Sequence, residues 1–406
     1  MKSKVLSKDR VHRHVYEQVL MALSDIFQSG DRADKVIERT FKGNSKWGSR
    51  DRKFFAETVY EMTRWWRTLI NEAGINESAT LKRDDFEVIW GVYWTGTGND
   101  LPEWFGQDLP YLKDSSAMPR AIRESIPDWM DELGEKELGK RWPAILESLN
   151  DKAIAYLRTN TLKTDREKLL VALAKEDIPC EGVKSNPIAI QLHERKNVFV
   201  TESFKKGFFE MQDLSSQEIA PFAGVEPGMR VVDACAGAGG KALHLAAMMK
   251  NKGKILALDI HDWKLKELKT RAARAGVDII ETRLIDSQKV IKRLAETADR
   301  VLLDVPCSGM GVLKRNPDSK WQLSMEEIER LHKLQREILH GYSQMVKPNG
   351  KLIYATCSVL PSENEKQIEW FCREHPGWVC EEQLRIDPDQ KESDGFFAAR
   401  LVRAKS

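Results

Sequence analysis

Arg230-Val231-Val232-Asp233-Ala234-Cys235-Ala236-Gly237-Ala238-Gly239-Gly240-Lys241 runs from an apolar stretch through a glycine-rich turn into a helical pattern. A short apolar strand followed by such a turn is the opening unit of a wound α/β sheet, because glycines let the backbone turn sharply and approach a ligand closely. The pattern repeats downstream. Residues 254–258 form a second apolar run ending at Asp259. A helix over about 262–275 follows, with Leu265, Leu268 and Ala272 on one face and Gly276 just past its end. Residues 279–284 read as a third strand with Asp286 beyond it, 300–304 as a fourth and 351–355 as a fifth. Ser324-Met325-Glu326-Glu327 is a capping-box sequence opening a long helix, and Ser362-Glu363-Asn364-Glu365 reads as another. Two further strands, near 378–380 and 396–402, close the chain. Repeated βα units with continuous apolar strands predict a parallel, doubly wound sheet over residues 214–406.

Upstream of that sheet the pattern differs. Residues 1–145 are helical in the first half, with Val11, Val15, Val19, Leu20 and Leu23, then Phe54, Val59, Met62 and Trp66, at helical spacing. Ser49 or Asp51 offers an N-cap for the second run. Further on, Trp90, Tyr93, Trp94, Trp104, Trp129 and Trp142 are expected to pack further helices as core, the usual fate of large apolar side chains. Pro, Gly and Asp punctuation around 96–119 predicts an irregular connection. Residues 146–213 read as a small α+β module, with strands at 154–157, 188–192 and 198–200 and a helix carrying Leu169, Leu170, Ala172 and Leu173.

Composition narrows the function classes. The chain has 406 residues, 64 Lys and Arg against 62 Asp and Glu, and six cysteines. The cysteines show no C-x-x-C pair and no metal spacing with His, which predicts free thiols, a reducing compartment and no metal. The charged start, Met1-Lys2-Ser3-Lys4-Val5, lacks the apolar core of a secretory leader, and no stretch is long enough for a membrane span. A cytoplasmic protein without membrane contact is expected. An excess of Lys and Arg over 1–70, followed by an acidic stretch over 71–150, is compatible with nucleic acid at one end and equally with a solvated helix surface.

The chemistry-bearing residues gather at the carboxyl ends of the strands, where open α/β sheets bind ligands. The turn Cys235, Ala236, Gly237, Ala238, Gly239, Gly240 and Lys241 suits an adenosyl cofactor. Asp259 can accept hydrogen bonds from ribose hydroxyls, Lys264 lies just beyond it, and Asp286 can reach an adenine edge. The turn is not a well-spaced G-x-G-x-x-G, which separates it from nicotinamide sites. Asp304-Val305-Pro306-Cys307-Ser308-Gly309 follows strand four, and Tyr354-Ala355-Thr356-Cys357-Ser358 follows strand five. Neighbouring strands lie about 4.8 Å apart, so both thiols should enter one pocket beside the cofactor. Two thiols next to a methyl donor point to pyrimidine methylation. A thiolate adding to carbon 6 makes carbon 5 nucleophilic, an acid near ring N3 assists, and a base removes the carbon-5 proton before the thiol leaves. A helix start just after Cys357 favours its thiolate. Lys241 can add positive charge there, or bind the donor's carboxylate or an RNA phosphate.

On these residues the chain resembles the RsmB/Sun/Nop family of RNA cytosine-5 methyltransferases. The likeness covers about 200–406. It includes Met211-Gln212-Asp213-Leu214-Ser215-Ser216-Gln217, the glycine turn, both cysteine motifs and Asp394-Gly395-Phe396-Phe397-Ala398-Ala399-Arg400-Leu401. It implies a Rossmann-like S-adenosylmethionine-dependent methyltransferase domain behind a small RNA-recognition-like module (146–213) and a helical NusB-like region (1–145). It implies Cys357 as nucleophile, Cys307 as release partner, Asp304 on the cytosine, and Asp259, Asp286 and Asp304 toward S-adenosyl-L-methionine. It also implies ribosomal RNA, 16S, as partner and a monomer; transfer RNA or a catalytically weak RNA-binding scaffold are the alternatives. DNA cytosine-5 enzymes use the Pro-Cys thiol instead, and the large target-reading insertion they need is missing. Two departures stand out: the family's usual Ala-Pro in the turn is Gly237-Ala238 here, a more flexible pair, and the acidic, Trp-rich stretch 71–145 has no clear counterpart.

Overall fold

The strands of the carboxyl-terminal half assemble because their apolar runs must be covered on both faces. A computed structural model describes residues 11–110, 118–390 and 393–403. Residues 1–5, and 111–117 of the punctuated stretch, lie outside the described residues. The chain divides into two compact units, Met1–Asn150 with Leu313–Leu323, and Asp151–Val312 with Ser324–Ser406.

The first unit is helical. Its longer helices are Arg13–Gln28, Ala33–Gly43, Ser49–Arg64, Arg83–Gly96 and Asp128–Leu138. Val15, Val19, Leu20 and Leu23 are buried against Phe55, Val59 and Met62, as their spacing predicts. Trp90, Tyr93, Trp94 and Trp142 are also buried, while Trp104 and Trp129 are half-buried. The helix at Ser49 begins with Gly48 as its N-cap and no side-chain cap, so neither Ser49 nor Asp51 serves as one. The segment Leu313–Leu323 belongs to this unit although it follows the Cys307 loop in sequence. Lys320 is fully buried there and donates to the carbonyls of Arg64 (3.1 Å) and Ser125 (3.2 Å) and to Asn150 Oδ1 (2.6 Å).

The second unit holds two sheets. The smaller contains β1 (Tyr156–Thr159), β2 (Cys180–Gly182), β3 (Ala189–Leu192) and β4 (Phe209–Met211) in the order β2-β3-β1-β4, all antiparallel. The predicted strand over 198–200 is a 3-10 turn instead. Val198 is buried while Phe199 and Val200 face outward, and the turn is held by Asn197 Oδ1, which accepts from the Phe199 N–H (3.2 Å), and Thr201 Oγ1, which donates to the Val198 carbonyl (2.6 Å).

The larger sheet contains β5 (Arg230–Asp233), β6 (Lys254–Asp259), β7 (Ile280–Leu284), β8 (Ala298–Asp304), β9 (Val346–Thr356), β10 (Trp378–Ile386) and β11 (Phe396–Arg403). Their order is β10-β11-β9-β8-β5-β6-β7. β5 to β9 are parallel, as predicted; β10 and β11 form an antiparallel hairpin added beside β9. The strand order reverses at β5, with β6 on one side and β8 on the other. That is the switch point where a crevice opens at the carboxyl ends.

Candidate functional site

The turn after β5 lies in this crevice. Gly237 (φ +53°) and Gly239 (φ +86°) adopt left-handed backbone conformations that a side chain would strain. A Cβ on Gly239 would also meet Leu268 Cγ at 2.5 Å, so the turn lies against the helix Asp262–Ala275 with no room to spare. Asp259 closes the turn from β6. Its carboxylate accepts from the N–H of Gly237 (2.9 Å) and of His261 (2.8 Å). Ala236 is buried, its N–H on the Leu258 carbonyl. Burial, and then the charges of Asp233, Asp304 and Asp259, push the Cys235 thiol well above its ordinary pKa, so it stays protonated. Lys264 is half-buried with its ammonium 5.7 Å from the Trp263 ring centre. Asp286 is exposed two residues past β7, where its carboxylate accepts from Ser287 Oγ.

The second half of the site comes from β8 and β9. Asp304 and Ala355 are paired in register, which puts the two cysteine loops side by side. Cys307 Sγ and Cys357 Sγ are 3.4 Å apart. Contact with the Cys357 sulfur first, then burial, then the charge of Glu363, raise the Cys307 thiol well above its usual pKa. Cys307 therefore keeps its proton near neutral pH, and the two sulfurs are close enough for either to donate to the other. Lys241 Nζ bonds Asp304 Oδ2 at 2.6 Å and lies 5.3 Å over the Phe396 ring. Burial opposes its charge, but Asp304 and the nearby Cys357 sulfur outweigh that and raise its pKa, so Lys241 remains an ammonium.

Three residues that the sequence pattern did not single out for the site line this arrangement. Glu363, fully buried, accepts from the N–H (2.8 Å) and the hydroxyl of Ser308, the residue after Cys307. Gln335, also buried, donates to the same carboxylate (3.0 Å) and to the Pro306 carbonyl (3.0 Å). Asp233, at the tip of β5, is 1% exposed and neither of its carboxylate oxygens is hydrogen-bonded among the described residues. Burial and the neighbouring Asp304 push it up to about 7. The expected capping box at Ser362 does not form. The helix Glu365–Glu374 has Asn364 as N-cap, and Asn364 bonds Thr356 Oγ1 and the Ser358 carbonyl instead. This ties the loop after Cys357 back to β9.

The motifs at the two ends of the domain meet at these loops. Gly311 donates to the Cys357 carbonyl (2.9 Å) and accepts from the N–H of Gly395 (2.8 Å). A Cβ there would lie 2.3 Å from Gly395 O and 2.7 Å from Cys357 O. Ser215 Oγ bonds Ser393 Oγ at 2.7 Å.

Comparison with known proteins places this geometry. A family model described as 16S rRNA methyltransferase RsmB/F matches residues 224–402, and an RsmF/B-like ferredoxin-like domain matches 126–199. The probable ribosomal RNA small subunit methyltransferase B of Synechocystis sp. is 35% identical over 441 residues, covering 95% of this chain and 98% of that protein. The chain belongs to the RsmB/F family. The ribosomal RNA small subunit methyltransferase B of Proteus mirabilis is 34% identical, over 68% of this chain and 65% of that protein. Among solved structures, that of PH0851 superposes with a TM-score of 0.80 at 24% identity, covering 98% of this chain and all of that one. A methyltransferase homologue from Pyrococcus horikoshii gives 0.62 at 26% identity, over 70% and 97%.

RsmB/F enzymes take their methyl group from S-adenosylmethionine. The crevice fits that cationic donor. The positive-φ turn leaves backbone accessible, and Asp233, Asp259 and Asp304 place carboxyl groups around it. Two unpaired, buried carboxylate oxygens on Asp233 are the kind of group a sulfonium or ammonium neutralises. Among the described residues no group of three His, Cys, Asp or Glu is placed to hold a metal, and no helix is long and apolar enough to cross a membrane.

Proposed function

We propose that this protein transfers a methyl group from S-adenosylmethionine to carbon 5 of a cytosine in 16S ribosomal RNA, through a bond between Cys357 and carbon 6. The observation that carries the reading is the thiol pair, 3.4 Å apart at the ends of adjacent parallel strands, with the Lys241–Asp304 ion pair beside it. Within the pair, the Cys307 thiol is held well above its ordinary pKa, which supports Cys307 as the proton donor and Cys357 as the nucleophile. Lys241 supplies positive charge near it. Asp304 holds the polar edge of the cytosine.

Attack of Cys357 on carbon 6 pushes electron density to carbon 5, which takes the methyl group. Completion requires loss of the carbon-5 proton and of the Cys357–carbon bond. Cys307 serves both needs: its proton passes to the departing Cys357 sulfur, and the resulting thiolate takes the carbon-5 proton. One proton per turnover is then released to solvent from Cys357. Carbon 6 is reached only in a splayed base, so the target cytosine must be unstacked.

The relatives named as small subunit methyltransferases support ribosomal rather than transfer RNA. We further propose the helical region (1–145) and the small module (146–213) as parts that engage RNA. The test is incubation with isotopically labelled donor and 16S rRNA, followed by digestion to nucleosides. Labelled 5-methylcytidine is expected, and lost in Cys357→Ala. Label on any other nucleoside, or unchanged label in Cys357→Ala, contradicts the reading.

A further inference from the structure

The donor turn has two glycines in left-handed conformations flanking Ala238, and lacks the proline that would stiffen it. Two guanidinium groups compensate from outside. Arg271 Nη1, on the helix after β6, donates to the Ala238 carbonyl at 2.9 Å. Arg158 Nη1, on β1 of the small sheet, donates to the Gly240 carbonyl at 2.7 Å. Both carbonyls lie within the turn and its first helical residue.

These arginines belong to one cluster. Arg158 stands opposite Glu210 in the β1–β4 register. Glu210, nearly buried, binds Arg271 through Nε (3.2 Å) and Nη2 (2.9 Å), and also binds Arg274. Arg271 thus grips Glu210 with one edge of its fork and the turn with the other. Lysine offers a single point charge and cannot do both. Arg158 is 3% exposed and also meets Gln212.

We infer that Arg271 and Arg158 are positioning residues for the donor turn, tying its geometry to the small sheet. The role of the turn as donor site follows from the family assignment above. Arg274 is the internal control. It shares Glu210 and stacks 3.9 Å over Phe204, but among the described residues no hydrogen bond joins it to the turn.

The experiment measures S-adenosylhomocysteine binding by calorimetry, and amide exchange over residues 236–241, for the full chain. Arg271→Ala should weaken binding about tenfold and speed exchange in the turn. Arg271→Lys, which keeps a charge against Glu210, should weaken it nearly as much. Arg274→Ala should stay within about twofold of the parent. In methylation assays Arg271→Ala should raise the donor KM and leave kcat intact. Equal losses in Arg271→Ala and Arg274→Ala, or none in either, or full rescue by Arg271→Lys, would overturn the inference. A parent protein that does not bind the probe would instead overturn the donor site itself.

Discussion

The 3.4 Å between the sulfurs of Cys307 and Cys357 is a distance of contact without a bond, and the two thiols differ in their surroundings. Cys307 is held protonated by Cys357, burial and Glu363. Asp233 is the other residue whose surroundings are unusual. Its native pKa of about 7 stands above the ordinary carboxylate value of about 3.9. Between those two values the folded chain binds more protons than the unfolded one, so Asp233 costs stability as pH rises from about 4 through 7. Asp233→Asn should therefore gain melting temperature on the parent at pH 8.5 and show a smaller gain at pH 5. Thermal melts at the two pH values check this; an equal difference at both would contradict it. The cysteines and Asp304 were legible in the sequence because each sits at or just past a strand end, and Lys241 because it directly follows the glycine turn. Asp233 was legible as part of a strand but not as a strained carboxylate, since the neighbour that raises it, Asp304, is 71 positions away in sequence.

At the scale of elements, the two sequences that read as capping boxes have different fates. Ser324 does cap its helix, accepting from the Glu327 N–H at 3.2 Å. Ser362 does not, because its box partner Glu365 is held by Arg385 (2.8 Å) and the helix takes Asn364 as N-cap, itself held by Thr356 and the Ser358 carbonyl. Local pattern decides the first; a buried tertiary network decides the second. Leaving Ser308 N–H and Gln335 without their acceptor in Glu363→Ala should cost about 3 kcal/mol. It should also lower kcat at least tenfold by letting the thiols drift apart. Urea unfolding and single-turnover methylation measure the two effects; near-parental values of both would show that Glu363 does not set the spacing. Gly311 is a second structural joint. Its Cβ position is filled by backbone of Gly395 and Cys357, which no rotamer change relieves. Gly311→Ala should cost about 1–3 kcal/mol of overpacking, read as a lower urea midpoint at unchanged slope. The run at 198–200 shows the opposite limit of local reading. Apolar and β-branched residues predict a strand, and a 3-10 turn forms instead, its backbone held by the side chains of Asn197 and Thr201.

For the whole chain, the wound sheet followed from strand periodicity and turn chemistry, both local signals. The division of the chain did not. Leu313–Leu323 leaves the methyltransferase unit after Val312 and is part of the helical unit, an excursion of eleven residues without compositional mark. Its anchor, Lys320, is buried among three acceptors. Replacing it by Met removes the donor from all three and should destabilise the helical unit by about 3 kcal/mol. A lowered first transition in calorimetry would show this; an unchanged thermogram would contradict it.

The division of labour between the thiols is the central claim, and covalent trapping on RNA tests it most directly. Cys307→Ala incubated with S-adenosylmethionine and 16S rRNA, then run on a denaturing gel, should show a protein–RNA adduct that is missing in the parent and in Cys307→Ala/Cys357→Ala. An adduct that forms in Cys357→Ala instead, or normal turnover with no adduct in Cys307→Ala, would contradict the assignment.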